Sequence, residues 1–410
     1  MRHVLPAFIS LLAVLLFCKT ARTDDFQIIP LLSVRQEYND NIFLSQEDTI
    51  SDSITTLSGG LEVFERTERL DSSLSARVAP LFYAENTELN EVDQFYRGQF
   101  NYRMTPNLDF GGNAAYIIDH RPDRDLAVTG LILGPERRRR LDVGGNLGYR
   151  ISEITAASML YEFHHEEFND ETVTDFTTHS AALGLTHDLS TWLEATVGRS
   201  SFGYQHYDSD TYDVDSLVCR LGGQHRFSER LNLDVEFGVR YTDSTFDTIK
   251  MVSVPPDSDS SQPTIIQENK TGFGGLGQVN LDYQWERTFG RFSVGHDIQP
   301  ASGTVGLANR TALTFTLRHR PTYNLSIGLF AGIFRNKADA DQFSANKIDL
   351  FSITIRPTMR WKFYDNFTLE GGYTYSYFDD KADDTKTDRN FVFLQIAWGI
   401  PLLDFGRIFS

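Results

Sequence analysis

The chain has 410 residues and a formal net charge of −18, with 38 Lys and Arg against 56 Asp and Glu. That balance excludes nucleic acid as a partner, because neutralising a phosphate backbone requires basic surface. Its two cysteines are Cys18 and Cys219, so a chain that has lost its N-terminus carries one thiol and cannot be a disulfide scaffold.

Met1-Arg2-His3 is a short positive start, and Leu5 to Phe17 is a thirteen-residue apolar stretch. A membrane-spanning helix needs about 20 apolar residues, so this stretch reads as the core of a secretory signal over residues 1–23, with cleavage near Ala21 to Thr23. A lipoprotein reading through Cys18 meets Phe17 where a small residue belongs. No later run resembles a membrane helix, and mean hydropathy is −0.31. Aromatic residues nevertheless make up 13% of the chain, with 31 Phe, 17 Tyr and 30 Gly. A membrane barrel reconciles these values, since each lipid-facing residue on its strands is followed by a lumen-facing polar one.

Period-two alternation begins at Ile28 to Tyr38 and recurs to the C-terminus. Leu141, Val143, Gly145, Leu147 and Tyr149 alternate with Asp142, Gly144, Asn146, Gly148 and Arg150. Leu231 to Tyr241 places Leu, Val, Phe and Tyr opposite Asn232, Asp234, Glu236, Gly238 and Arg240, and Phe273 to Trp285 follows the same rule. Ile353 to Phe363, Phe367 to Tyr377 and Phe391 to Trp398 complete the series. Successive strand side chains point to opposite faces, so each run has one apolar and one polar face. The runs are about ten residues long, longer than the roughly 5–6 residues usual in soluble sheets.

The connections alternate between short polar turns and long acidic segments. The turns are at Thr105-Pro106-Asn107, Ser152-Glu153, Asp188-Leu189-Ser190, Ser228-Glu229-Arg230, Arg320 to Asn324 and Tyr364-Asp365-Asn366. The long segments are Asn39 to Ser53, Glu85 to Gln94, Asp119 to Arg137, Glu166 to Phe176, Ser244 to Lys270, Arg335 to Lys347 and Asp379 to Asp388. Short periplasmic turns and longer external loops are the asymmetry of an outer-membrane barrel. The expectation is therefore an all-β, up-and-down antiparallel transmembrane barrel over residues 24–410, with about eighteen strands and sixteen as the alternative. Ser244 to Lys270, with Pro255-Pro256, reads as a mobile external loop.

The segment Gln36-Glu37-Tyr38-Asn39-Asp40-Asn41-Ile42-Phe43-Leu44, with Glu37, Tyr38, Asp40, Asn41, Ile42 and Phe43 at its centre, resembles the opening of the β-barrel porin 2 family. The resemblance implies an outer-membrane protein associated with exopolysaccharide or capsule systems, and it implies no binding residues.

Several motifs have simpler readings. Gly272-Phe273-Gly274-Gly275-Leu276-Gly277 has dinucleotide-fingerprint spacing, but a strand pattern follows where a helix is required; its glycines suit strand curvature. Asp208, Asp210, Asp213 and Asp215 suggest a hard cation, yet lack the EF-hand glycine and glutamate and read as an acidic external loop. That loop could hold divalent ions that bridge to lipopolysaccharide. His164-His165-Glu166-Glu167 alternates faces, so no metal site is expected there, and no cofactor is implied. Arg137 to Arg140 suits either the mouth of the barrel and lipid phosphate, or a loop end balanced by acids.

The functional candidates are the inward charges Arg150, Arg220, Arg226, Arg240, Arg318, Arg356, Arg360, Glu162, Asp234, Glu236, Asp282 and Glu370. Rings of charged side chains set ion preference in pores, although neighbouring opposite charges also simply tie a wall together. The expected role is passage of small solutes, or assistance to polysaccharide export. The expected partners are outer-membrane lipid, lipopolysaccharide and the barrel-assembly machinery. An adhesive barrel with a plugged lumen is an alternative, as is a barrel-wall lipid hydrolase; no Ser–His arrangement supports the latter, and the chain is not expected to be an enzyme.

Overall fold

The computed structural model describes residues 25–120, 137–169, 174–210, 212–253, 261–300, 307–338, 347–399 and 403–404. The expected signal segment and the residues after Asp404 lie outside the described residues.

The strands are β1 (Asp25–Asn39), β2 (Asp52–Arg66), β3 (Leu70–Tyr83), β4 (Glu91–Thr105), β5 (Leu108–Asp119) and β6 (Arg138–Arg150). Next come β7 (Thr155–Phe168), β8 (Phe176–Asp188), β9 (Thr196–Ser209), β10 (Tyr212–Arg226), β11 (Leu231–Ser253) and β12 (Ser261–Trp285). The last are β13 (Thr288–Pro300), β14 (Leu307–His319), β15 (Leu325–Ala338), β16 (Ile348–Tyr364), β17 (Phe367–Asp380) and β18 (Thr385–Gly399), with a two-residue β19 (Leu403–Asp404). Each strand pairs antiparallel with its neighbour in sequence, and β1 pairs with β18 from Leu31–Gly399 to Asn39–Phe391. The sheet closes on itself as an eighteen-stranded barrel, which leaves no free edge along most of its wall. β19 adds a short pairing to Gln27 and Ile28 at the seam.

The alternation read from the sequence sets the two faces. Phe237, Val239 and Tyr241 on β11, Leu32 and Val34 on β1, and Ile355, Met359 and Trp361 on β16 are large and exposed on the outside. The intervening charged residues face the interior. Such an outer belt is stable only against lipid, because it is too extensive for water.

Two expectations about connections are corrected. Ser244 to Lys270 is not a loop throughout: β11 and β12 stay paired up to Ser253–Ser261. The short–long alternation is also not strict. β9 and β10 meet at Ser209–Tyr212, so Asp208, Asp213 and Asp215 lie on strands and not in a loop. At the other end, residues 189–195 form a longer turn that uses Ala195 at φ 52°.

A further regularity sits on the outer face. Thr155 faces His187, Thr196 faces His225 and Thr288 faces His319 in the ladder, each with hydroxyl to Nδ1 at 2.7–2.9 Å. All three lie near the short-turn end. His165–Thr177 and His296–Thr311 repeat the pair towards the long-loop end. Cross-strand pairs of this kind contribute about 0.2–1 kcal/mol each.

Candidate functional site

The motif at residues 36–44 closes the barrel. Glu37 points inward, buried, and pairs with Arg35, while Tyr38 is half exposed outside. Asp40 accepts hydrogen bonds from Asn390 N and Nδ2, both at 2.7 Å. Asn41 donates to Asp388 O (3.2 Å) and Ser45 O (2.8 Å) and accepts from Ser45 N (2.9 Å). Ile42 packs with Ile54, Leu81 and Tyr83, and Phe43 is partly exposed. Leu44, at φ 55°, turns onto Phe378. The chain's first turn thus clasps its last strand.

The mouth at the long-loop end is braced by buried charges. Arg138 is bidentate to Asp119 (3.0 and 2.9 Å) and also reaches Glu166 at 3.3 Å, all three being at most 4% exposed. Arg139 pairs with Glu167 at 3.0 Å and Arg140 with Asp142 at 3.2 Å. Each of these three arginines is thus paired with an acid, but they lie on β6 and Arg138 is buried, so the run is not a solvated loop end. Asp52 accepts main-chain hydrogen bonds from Ser53, Ala84, Glu85 and Asn86 and one from the Asn86 side chain. Burial works against its charge, but these donors prevail and hold the carboxyl below its ordinary value.

Outside the barrel and beyond the apolar belt, His206 Nδ1 lies 3.0 Å from Asp215 and 3.6 Å from Asp213. Burial raises the Asp213 pKa, His206 opposes the rise, and Asp215, Asp208 and Asp243 add to it.

Among the described residues the wall breaks at the mouth. The β12–β13 ladder stops at Gly277–His296, although β11–β12 and β13–β14 both continue. Beyond that point the described ends of β13 and β14, here called the tip, turn inward against the inner faces of β8 to β11. There Ile298 and Leu307 bury themselves with Phe176, Tyr207, Tyr212, Val214 and Phe246. Asp297 meets Arg220 at 3.5 Å and Arg240 at 3.9 Å. Arg240, only 2% exposed, donates to Asn309 at 3.2 Å and to Thr242 at 3.0 Å. A Cβ on Gly274 would sit 2.7 Å from the Arg240 guanidinium. The glycine run that resembled a nucleotide fingerprint therefore lets Arg240 cross β12 and tie the break together from inside.

Below the tip, a cavity of about 910 Å³ is lined by Arg199, Arg220, Asp234, Glu236, Asp282 and Arg291, among others. Opposite charges pair along it: Arg199–Asp234, Arg220–Glu236 (3.4 Å) and Arg291–Asp282 (2.6 Å). A second cavity of about 580 Å³ lies against β1 and β14 to β18 and includes Arg318, Arg356 and Glu370. Glu370 is paired with Arg360 at 2.6 Å. Arg150, Arg226, Arg318, Arg356 and Glu162 have no ion-pair partner among the described residues. The twelve sequence candidates all fall on inward faces, but divide into a paired group that stitches the wall and a largely cationic group left over. Sequence reading missed Arg35, Arg199, Arg291, Arg310 and Arg389. Their alternation was a usable signal. It also missed Asp297, whose role depends on the tip leaving the wall.

No known protein-family model matches the chain, and no curated protein sequence does. Among solved structures the chain is similar to the ferric-catecholate import receptor Fiu of E. coli K12 in its open form, at 7% identity and a TM-score of 0.48, covering 92% of this chain and 82% of that one. It is also similar to OccK2 of Pseudomonas aeruginosa, at 7% identity and TM-score 0.49, over 93% and 99% of the two chains. For a BenF-like porin of Pseudomonas fluorescens Pf-5 the values are 9%, 0.45, 93% and 100%. Likenesses of this grade carry no residue, ligand or role across to this chain.

Proposed function

We propose that the protein is an outer-membrane channel for small solutes. The observation that carries this reading is a closed eighteen-stranded ring, apolar outside, whose charged inner face leaves cavities of about 910 and 580 Å³. Barrels of 16–18 strands are wide enough to leave an aqueous lumen. On this reading the long-loop end is external, the apolar belt meets membrane lipid and lipopolysaccharide, and the barrel-assembly machinery inserts the exported chain. Residues 36–44 supply the one link to polysaccharide export, and their contacts serve barrel closure, so passage of small solutes is the reading put forward.

The test is planar-bilayer recording with refolded, heat-modifiable protein. Discrete, salt-dependent conductance steps support a channel. Silence from correctly folded protein overturns it and favours the plugged barrel, which the inward β13–β14 tip would then explain.

A further inference from the structure

We propose that the 580 Å³ cavity against β1 and β14 to β18 is a binding subsite for a small, hydroxyl-bearing carboxylate. The assignment rests on the channel reading and names the class of solute that this part of the lumen holds.

The ladder explains why the wall is concave here. One row runs Arg318, Gly328, Thr358, Gly372, Phe393 and Glu37 across six strands. Two of its six positions have no side chain. A Cβ on Gly372 would lie 2.5 Å from the Phe393 ring, so glycine there lets the ring lie flat along the wall. The adjoining row places Thr316, Phe330 and Arg356 side by side. The next row places Thr354, Ser376 and Arg389 together. The result is a dent floored by glycine, walled by Phe330, Phe391 and Phe393, and edged with guanidinium and hydroxyl groups.

Three features point to a ligand. Arg318 and Arg356 face the dent with no ion pair among the described residues, although Glu370 acts on Arg356 from a distance and Arg356 lies over the Phe330 ring at 5.4 Å. The acid beside them, Glu370, is engaged by Arg360. Lastly, the hydroxyls of Thr354 (3% exposed) and Ser376 (0%) line the dent with no hydrogen-bond partner among the described residues. Buried polar groups are almost always satisfied, and a polar ligand seated in the dent would supply the partner these two lack. Guanidinium is the side chain suited to two-pronged recognition of carboxylate. The paired hydroxyls match a hydroxylated body, and the rings offer it an apolar face. Inorganic anions would use the arginines and the hydroxyls and leave the rings idle.

The experiment is single-channel recording with gluconate as probe and sorbitol as its neutral counterpart. Gluconate is expected to interrupt the current at concentrations at which sorbitol does not. In Arg318→Gln/Arg356→Gln the half-blocking concentration is expected to rise at least about tenfold, the equivalent of one charge-assisted contact. Thr354→Val/Ser376→Ala is expected to weaken block without altering the cation–anion permeability ratio. Equal block by gluconate and sorbitol, or gluconate block unaffected by the arginine double variant, overturns the subsite while leaving the channel intact. Absence of conductance in every variant and the parent would instead defeat the channel reading.

Discussion

Releasing the β13–β14 tip from the inner wall is expected to widen the lumen, and the structure indicates which contacts hold it. Asp297 touches Arg220 and Arg240 at 3.5 and 3.9 Å, but its side chain is 39% exposed. Screened pairs of that kind are worth about 0.2–1 kcal/mol each. Ile298 and Leu307 are 5% and 2% exposed within an aromatic cluster. Truncation of such residues to Ala costs about 2–5 kcal/mol each. The apolar clamp therefore outweighs the ionic latch. Two truncations at the lower end total about 4 kcal/mol, a shift near a thousandfold in the closed-to-open ratio at 1.4 kcal/mol per decade. Ile298→Ala/Leu307→Ala is expected to raise single-channel conductance and the size limit for neutral polymers, whereas Asp297→Asn should do so modestly or only as brief openings. A double variant with parental conductance and size limit would refute the constriction, and an Asp297→Asn effect larger than the double variant's would refute the ranking of forces.

Other expectations concern the clasp, the mouth and the break in the wall. Asn41→Ala removes one partner from Asp388 and two from Ser45 at a site 1% exposed; a loss of about 1–3 kcal/mol should lower the temperature at which the folded band disappears in heat-modifiability gels. Asp52 carries a lowered pKa, so its contribution is present above about pH 4, near the ordinary carboxyl value of 3.8, and is lost as pH falls through the folded value. Amide exchange at Ala84 to Asn86 should accordingly rise at low pH in the parent, measured against intrinsic rates, and at all pH in Asp52→Ala. Arg138→Met leaves Asp119 and Glu166 buried without their cation, and a cost of about 3–5 kcal/mol should appear as a lower denaturant midpoint. Gly274→Val would displace the Arg240 guanidinium from Asn309; increased lateral protease or lipid-probe access at β12–β13 would register it, and unchanged access would show that the tip needs no such tie.

The strand faces were open to sequence reading because lipid and lumen demand opposite chemistry at successive residues. Leu231 to Tyr241 announces both its outward belt and its inward Asp234, Glu236 and Arg240. The same local rule applied repeatedly left eighteen strands or sixteen, and the pairing of β18 with β1 decides for eighteen. What alternation does not encode is where a ladder stops. The break above Gly277–His296, the tip lying across β8 to β11 and the clasp of Asp40 on Asn390 all join residues far apart in the chain. The division of the inward charges was hidden for the same reason: Arg360 has Glu370 opposite it, while Arg318 has Gly328. Local sequence settles which way a side chain points, because the pleat has period two. Only the tertiary structure decides what it meets there, because its partner is supplied by register with another strand.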